Sequence, residues 1–278
     1  MLIRCWGSRG SIPVSGKEYL KYGGDTACIE IRSGRDIIII DAGTGIRRLG
    51  NELVREGVFS YDLFFTHAHW DHLMGFPFFR PLYLNNARIR IHGYPFAVNF
   101  IEEMLTKVMS HPNFPVDYAD IQAEIEYIHG CPERVNIDDI TVATIPLSHP
   151  NQGNGYKFTA DGKTFTFLTD NELNYVHPGG CEFADYVEFA RGSDLLMHDA
   201  EYTDEEWKRY KEWGHSACSS ALELALQAGV KQLGLFHLNQ DRSDDEMDRI
   251  VEDCRKRIER KKADLKCFAV SCNTKIEI

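Results

Sequence analysis

Long apolar stretches are missing from this 278-residue sequence. No segment reaches the roughly 18 residues that a membrane-spanning helix requires. The opening Met1–Gly7 carries no long apolar leader either, so a cytoplasmic protein without membrane contact is expected. Cys-x-x-Cys pairs are absent. The eight cysteines (Cys5, Cys28, Cys131, Cys181, Cys218, Cys254, Cys267 and Cys272) are scattered. That argues against a zinc knuckle or a disulfide scaffold and for reduced thiols packed in a core. Positive charge is in deficit: 31 basic against 42 acidic residues give a net charge of −11. A polyanion binder gains affinity by releasing counterions to clustered Lys and Arg, so no duplex nucleic acid is expected as a partner. A glycine-rich phosphate loop of the Walker type is absent, and nothing points to a redox or organic cofactor. Linkers, repeats and low-complexity tracts are also absent, so one α/β domain spanning 1–278 is expected.

What is present alternates short strands with helices. Strands are expected at Ile29–Ile31 and Asp36–Asp41, around the turn Ser33-Gly34-Arg35. The run Ile37-Ile38-Ile39-Ile40 is β-branched and unbroken, the pattern of a strand buried on both faces. A helix from Ile46 to about Glu56 stops at Gly57. Further strands are expected near Tyr61–Thr66, at Ile89–His92, and at about 124–128, 139–145, 154–160 and 163–169. The last two form a hairpin through Ala160-Asp161-Gly162-Lys163. Residues 97–109 and 216–228 have helical spacing, and Ser243-Asp244-Asp245-Glu246 fits a capping box that opens a further helix. The basic run Arg255–Lys262 reads as that helix's solvated face. Short strands are expected at Leu195–Met197, Leu233–Phe236 and Phe268–Ser271.

One cluster carries chemistry. Thr66-His67-Ala68-His69-Trp70-Asp71-His72 places three imidazoles and a carboxylate just after an apolar strand. Such nitrogen and oxygen donors suit zinc, manganese or iron. Alternate residues His67 and His69 can face one position while Asp71 and His72 turn toward a second. Taken singly these are ordinary surface side chains; together, at a strand end, they define metal-ligand spacing.

This cluster is similar to the His-x-His-x-Asp-His signature of the metallo-β-lactamase superfamily, and the later motifs follow in the expected order. The resemblance implies an αββα sandwich, two mixed sheets with helices on the outer faces. It also implies two divalent metal ions, zinc first, with manganese or iron as alternatives. Asp41 corresponds to a supporting aspartate. His67, His69 and His149 would hold one metal; Asp71, His72 and His237 would hold the other; Asp170 would bridge them. Two metals so placed lower the pKa of a shared water toward about 7 and polarise the scissile group.

Met197-His198-Asp199-Ala200-Glu201 and Trp213-Gly214-His215-Ser216 resemble the His-Glu-Ala-Thr and Gly-His-Ser-Thr segments of RNase Z-like phosphodiesterases. The resemblance makes His215 the catalytic proton donor and Asp199 its support, with Asp71 counted among the catalytic carboxylates. The aspartate in place of glutamate is a departure, and Ser216 or Ser219 as a simple helix cap is the competing reading. Trp6-Gly7-Ser8-Arg9-Gly10-Ser11 and Gly75-Phe76-Pro77-Phe78-Phe79-Arg80-Pro81 look like the corresponding parts of a bacterial group that includes cyclic-nucleotide phosphodiesterases. Ser8, Arg9 and Ser11 are candidates to approach a phosphate, or form a plain turn. Phe76, Phe78, Phe79 and Tyr83 either stack a base or pack a core or dimer contact. No long Gly/Pro-rich arm of the tRNA-gripping kind occurs. The expected substrate is therefore a small phosphodiester or nucleotide, a 3′,5′-cyclic nucleotide first, with a homodimer as the expected assembly. An RNase Z-like endoribonuclease, a glyoxalase II-like thioester hydrolase and a non-catalytic binding protein are the alternatives.

Overall fold

A computed structural model describes residues 1–92, 98–128 and 134–278, with the backbone alone for 98–100. Cys131 and residue 97 of the expected helix lie outside the described residues.

The first sheet is built on an antiparallel meander of β1 (Leu2–Gly7), β2 (Cys28–Ser33) and β3 (Asp36–Ile40). Three parallel strands extend it: β4 (Ser60–Phe64), β5 (Arg88–His92) and β6 (Glu124–Ile128). The second sheet begins with antiparallel β7 (Arg134–Ile137), β8 (Ile140–Pro146), β9 (Asn154–Ala160) and β10 (Lys163–Leu168). It continues with parallel β11 (Leu195–Asp199), β12 (Gln232–Phe236) and β13 (Lys266–Ala269). Strand β14 (Lys275–Glu277) returns to the free edge of β1.

Apolar packing separates into three layers. Ile3, Ile29, Ile38 and Ile40 of the first sheet meet Val142, Phe158, Phe165, Phe167 and Met197 of the second in one cluster between the sheets. The outer face of the first sheet is covered by α1 (Ile46–Glu56) and α3 (Val98–Val108). The outer face of the second is covered by α4 (Phe183–Ala190), α6 (Cys218–Ala228) and α7 (Asp244–Lys261). The result is the expected αββα sandwich. The Ile37–Ile40 run explains part of it: Ile37 and Ile39 enter the helix-side cluster, while Ile38 and Ile40 enter the layer between sheets. A strand buried on both faces has no polar side to alternate. Helix α1 ends at Gly57, whose left-handed φ of 73° returns its N–H to Leu53 and Val54. No helix among the described residues is long and apolar enough to cross a membrane.

Strands β1, β7 and β14 and helices α4 and α5 (Asp204–Arg209) were not expected from the sequence. β7 and β14 span only four and three residues, too few for alternation to register. Helix α6 begins two residues later than its periodicity suggests, with Ala217 as its cap. Ser216 is therefore not the helix cap. Its hydroxyl instead donates to the Asn171 carbonyl at 2.6 Å and accepts from Leu173 N–H at 3.0 Å.

Candidate metal centre

Strand ends place the polar residues. Asp41 follows β3, His67 follows β4, Asp170 follows β10, Asp199 ends β11 and His237 follows β12. Asp41, Asp170 and His237 all have left-handed backbones, with φ of 63°, 50° and 55°. Non-glycine residues rarely adopt this conformation, and each carries a cost of order 1–3 kcal/mol. The strain recurs at three strand ends that converge on one cleft, as expected of a site that the surrounding fold holds in place. The short helix α2 (Trp70–Leu73) carries Asp71 and His72, with the His72 ring 4.2 Å from that of His67 between centroids.

Two four-residue donor clusters result, beside a triplet of Asp199, His215 and His237. His67, His69, His149 and Asp170 bring one ligand atom each to within 4.8 Å of one another, and so do Asp71, His72, Asp170 and His237. Asp170 is common to both: its Oδ1 lies 3.7 Å from His67 Nε2 and its Oδ2 lies 3.3 Å from His72 Nε2. Every one of the seven expected ligands is thus in the cleft.

The outward nitrogens are engaged. His72 Nδ1 lies 2.7 Å from Asp41 Oδ2, and Asp41 also accepts from the Thr66 N–H and hydroxyl, both at 2.8 Å. His149 Nδ1 lies 2.9 Å from the Gly214 carbonyl, and His237 Nδ1 lies 2.9 Å from Glu201 Oε2. Such partners fix the tautomer, so Nε2 is left with its lone pair toward the cleft. Within it, the buried Nε2 atoms of His67 and His72 have no hydrogen-bond partner among the described residues. His149 Nε2 and His69 Nδ1 face each other at 3.1 Å. Orphaned imidazole nitrogens beside buried carboxylates are costly unless a cation takes them. The donor set therefore fits divalent metal.

The electrostatics agree. Burial drives His149 down to about 3 and His67 well below the ordinary imidazole value, so both favour the neutral form a ligand needs. Burial alone would raise the Asp170 carboxyl, but His237, His72 and His67 hold it well below the usual range. Burial also opposes charge on His72, yet Asp71, Asp170 and Asp41 reverse that and raise it; the carboxylate charge that favours a proton on this ring would equally favour a divalent cation in the proton's place.

His215 lies at the second cluster. Its ring stacks on His237 with centroids 4.7 Å apart, and its Nδ1 is 2.7 Å from Asp199 Oδ2. The shorter aspartate thus reaches its histidine. Burial works against the His215 imidazolium, but Glu201 and Asp199 outweigh it and lift the pKa to about 9.

The expected phosphate contacts turn out differently. Arg9 is buried, and its guanidinium donates to the carbonyls of Gly23, Asn239 and Arg242 at 2.8, 3.0 and 3.1 Å. It pins the N-terminal loop to the segment after β12, so the expectation of a phosphate contact is corrected for this side chain. Ser8 is wholly buried, which removes it from the cleft surface. Ser11 does reach the site, but through its backbone N–H, which donates to Asp71 Oδ2 at 2.9 Å. Of the aromatic candidates, Phe76 and Phe79 belong to the core and Phe78 is exposed.

Three supporting residues escaped the sequence reading: Glu201, Gly214 and Glu172. Glu201 lay inside the resembled segment but was given no role there. Gly214 is a carbonyl contact no pattern encodes. Glu172 is a lone carboxylate two residues past Asp170 whose partners come from 177, 207, 212 and 214.

The sandwich and the paired histidine–carboxylate clusters define a metal-dependent hydrolase fold. A sequence profile of the β-lactamase superfamily domain matches residues 36–238. The chain belongs to this superfamily and is a hydrolase. A ribonuclease Z of Haloferax volcanii is 24% identical over 280 residues, covering 84% of this chain and 83% of that protein. The metallo-β-lactamase fold protein YhfI of Bacillus subtilis superimposes with a TM-score of 0.72 at 15% identity, covering 100% of this chain and 99% of that one. A diphosphatase of the PhnP family gives 0.70 at 18% identity, covering 100% and 97%.

Proposed function

We propose that the protein is a dinuclear phosphodiesterase that hydrolyses a small phosphodiester, a 3′,5′-cyclic nucleotide first. In this reading 1–278 works as one hydrolase domain. The observation that carries it is the Asp199–His215 pair set against His237, with the 2.7 Å contact and the 4.7 Å ring stack given above. Thioester hydrolysis has no call for such a pair.

His67, His69 and His149 would hold one zinc and Asp71, His72 and His237 the other, with Asp170 shared. When bound, such a pair supplies an acidified water and Lewis acidity toward a phosphoryl oxygen. The rest falls to the chain. Asp41, Gly214 and Glu201 hold three imidazoles in one tautomer. The Ser11 N–H orients Asp71. Asp199 fixes His215 through Nδ1, and Glu201 and Asp199 together favour its imidazolium, so that Nε2 also carries a proton to pass to the leaving alkoxide oxygen.

Two features support a small substrate. The net charge is −11. Residues 98–128 form α3, a loop with one 3₁₀ turn at Tyr118–Asp120, and β6, and the sequence holds no long Gly/Pro-rich arm. The second reading is an endoribonuclease, favoured by the likeness to ribonuclease Z across 84% of the chain.

Zinc-loaded protein is to be tested on bis-p-nitrophenyl phosphate, 3′,5′-cyclic nucleotides, a pre-tRNA and a glutathione thioester. Cleavage of the cyclic nucleotides, abolished by chelation and by His215→Ala, is the expected result. Cleavage of pre-tRNA alone establishes the endoribonuclease. Cleavage of the thioester alone overturns the roles of Asp199 and His215.

A further inference from the structure

The loop that delivers His215 also holds two exposed aromatic rings. Trp213 is 64% exposed and Tyr210 is 40% exposed. They are not isolated. Trp213 meets Tyr210 at 5.3 Å between centroids, and Tyr210 stacks on Tyr202 at 5.3 Å and 26°. Tyr202 in turn meets His215 edge-on at 5.8 Å. A continuous run of rings therefore leads from the proton donor out to solvent.

The loop is also held rigid at a cost. Trp213 lies between Glu212 and Gly214, whose backbones are left-handed at φ 74° and 93°. Their N–H groups both donate to the carboxylate of Glu172 at 2.9 Å. Glu172 is 1% exposed, and it also accepts from the Trp207 indole at 3.0 Å and lies 2.9 Å from His177 Nε2. A charged group taken out of water and spent on a surface loop is an expensive way to present an indole to solvent. It does remove the entropy cost of ordering that indole when something binds it.

We propose that Trp213 and Tyr210 form a stacking subsite for a nucleobase, on the leaving-group side of the cleft, and that Glu172 positions it. This rests on the phosphodiesterase reading. Indole and phenol faces stack any flat heteroaromatic ring with little sequence preference. A base attached to the sugar whose oxygen leaves lies on the side of His215, which protonates that oxygen.

The test uses zinc-loaded wild type, W213A and W213F. The substrates are 3′,5′-cyclic AMP and the base-free 1-deoxyribose 3,5-cyclic phosphate. Wild type should prefer the base-bearing substrate in KM, and W213A should reduce that preference about tenfold, the effect of losing one stacked base. W213F should restore most of it. A parallel titration follows tryptophan emission with AMP and with ribose 5-phosphate: AMP alone should quench wild type, and W213F should lose that quench. If both substrates are cut and W213A keeps the wild-type preference, the subsite is overturned while the phosphodiesterase reading stands. If neither is cut but AMP quenches Trp213, the subsite stands and the phosphodiesterase reading fails. Neither cleavage nor quench overturns both.

Discussion

Gly214 touches His149 so closely that no other residue fits between them. Its carbonyl lies 2.9 Å from His149 Nδ1, and a Cβ built on Gly214 would lie 2.1 Å from that same nitrogen and 2.4 Å from Pro150 Cδ. Its φ of 93° is also one that side chains avoid. One residue before His215, the loop is thus packed against a member of the first donor cluster.

Gly214→Ala is therefore expected to disturb the metal site although it removes no ligand. The His149 ring must move, and the left-handed backbone adds a cost of about 1–3 kcal/mol. Metal content by elemental analysis should fall, and the denaturation midpoint should drop. A fully metallated variant of wild-type stability would show that the loop relaxes freely.

Asp170→Ala removes the carboxylate common to both clusters. Metal content and hydrolysis should fall together, the signature of a bridging ligand. Asp170→Asn, which keeps the shape and loses the charge, should fall almost as far, since neutral amide oxygen is a poor bridge for two cations. An active, fully metallated Asp170→Ala protein would defeat the assignment.

His215→Ala should behave in the opposite way. His215 belongs to neither of the two four-residue clusters, so metal content should hold while phosphodiesterase turnover falls about 10²–10⁴-fold, the range for general acid catalysis. Asp199→Asn should lower turnover as well, because an amide at that position favours the wrong imidazole tautomer. An unchanged rate in His215→Ala would remove the proton-donor role.

Glu201→Gln tests the partner of His237 Nδ1. Loss of this carboxylate should weaken metal affinity about 10–100-fold, the usual effect of removing an imidazole's outer partner. A competition titration against a chelator reads it directly. Unchanged affinity would show that Glu201 serves His215 alone, from which it is 3.5 Å distant.

Ile38→Ala addresses the fold. Ile38 is fully buried in the layer between the two sheets. The expected loss is about 2–5 kcal/mol in chemical denaturation, as for other buried aliphatic truncations. A loss below 0.5–1 kcal/mol, on the scale of a surface change, would mean that the layer between the sheets collapses around the gap.

Local pattern determined a good deal of this protein. The unbroken Ile37–Ile40 run gave a strand buried on both faces, Gly57 gave the end of α1, and Ala160–Lys163 gave a hairpin. The seven residues that cluster in the cleft were legible because four of them crowd into residues 67–72 and the rest follow resembled motifs at strand ends. The sandwich came from that resemblance. Tertiary structure alone decided what supports the site. Glu172 draws its four partners from across 177–214, and Glu201 is a neighbour of His237 only because β11 and β12 pair in parallel. Arg9 could be assigned to a phosphate from sequence because an arginine's motif does not say where its guanidinium lies. Folding buried it against three carbonyls of distant residues. Periodicity records which face of an element is apolar, but buried polar contacts between elements leave no period, so they emerge only when the chain is closed on itself.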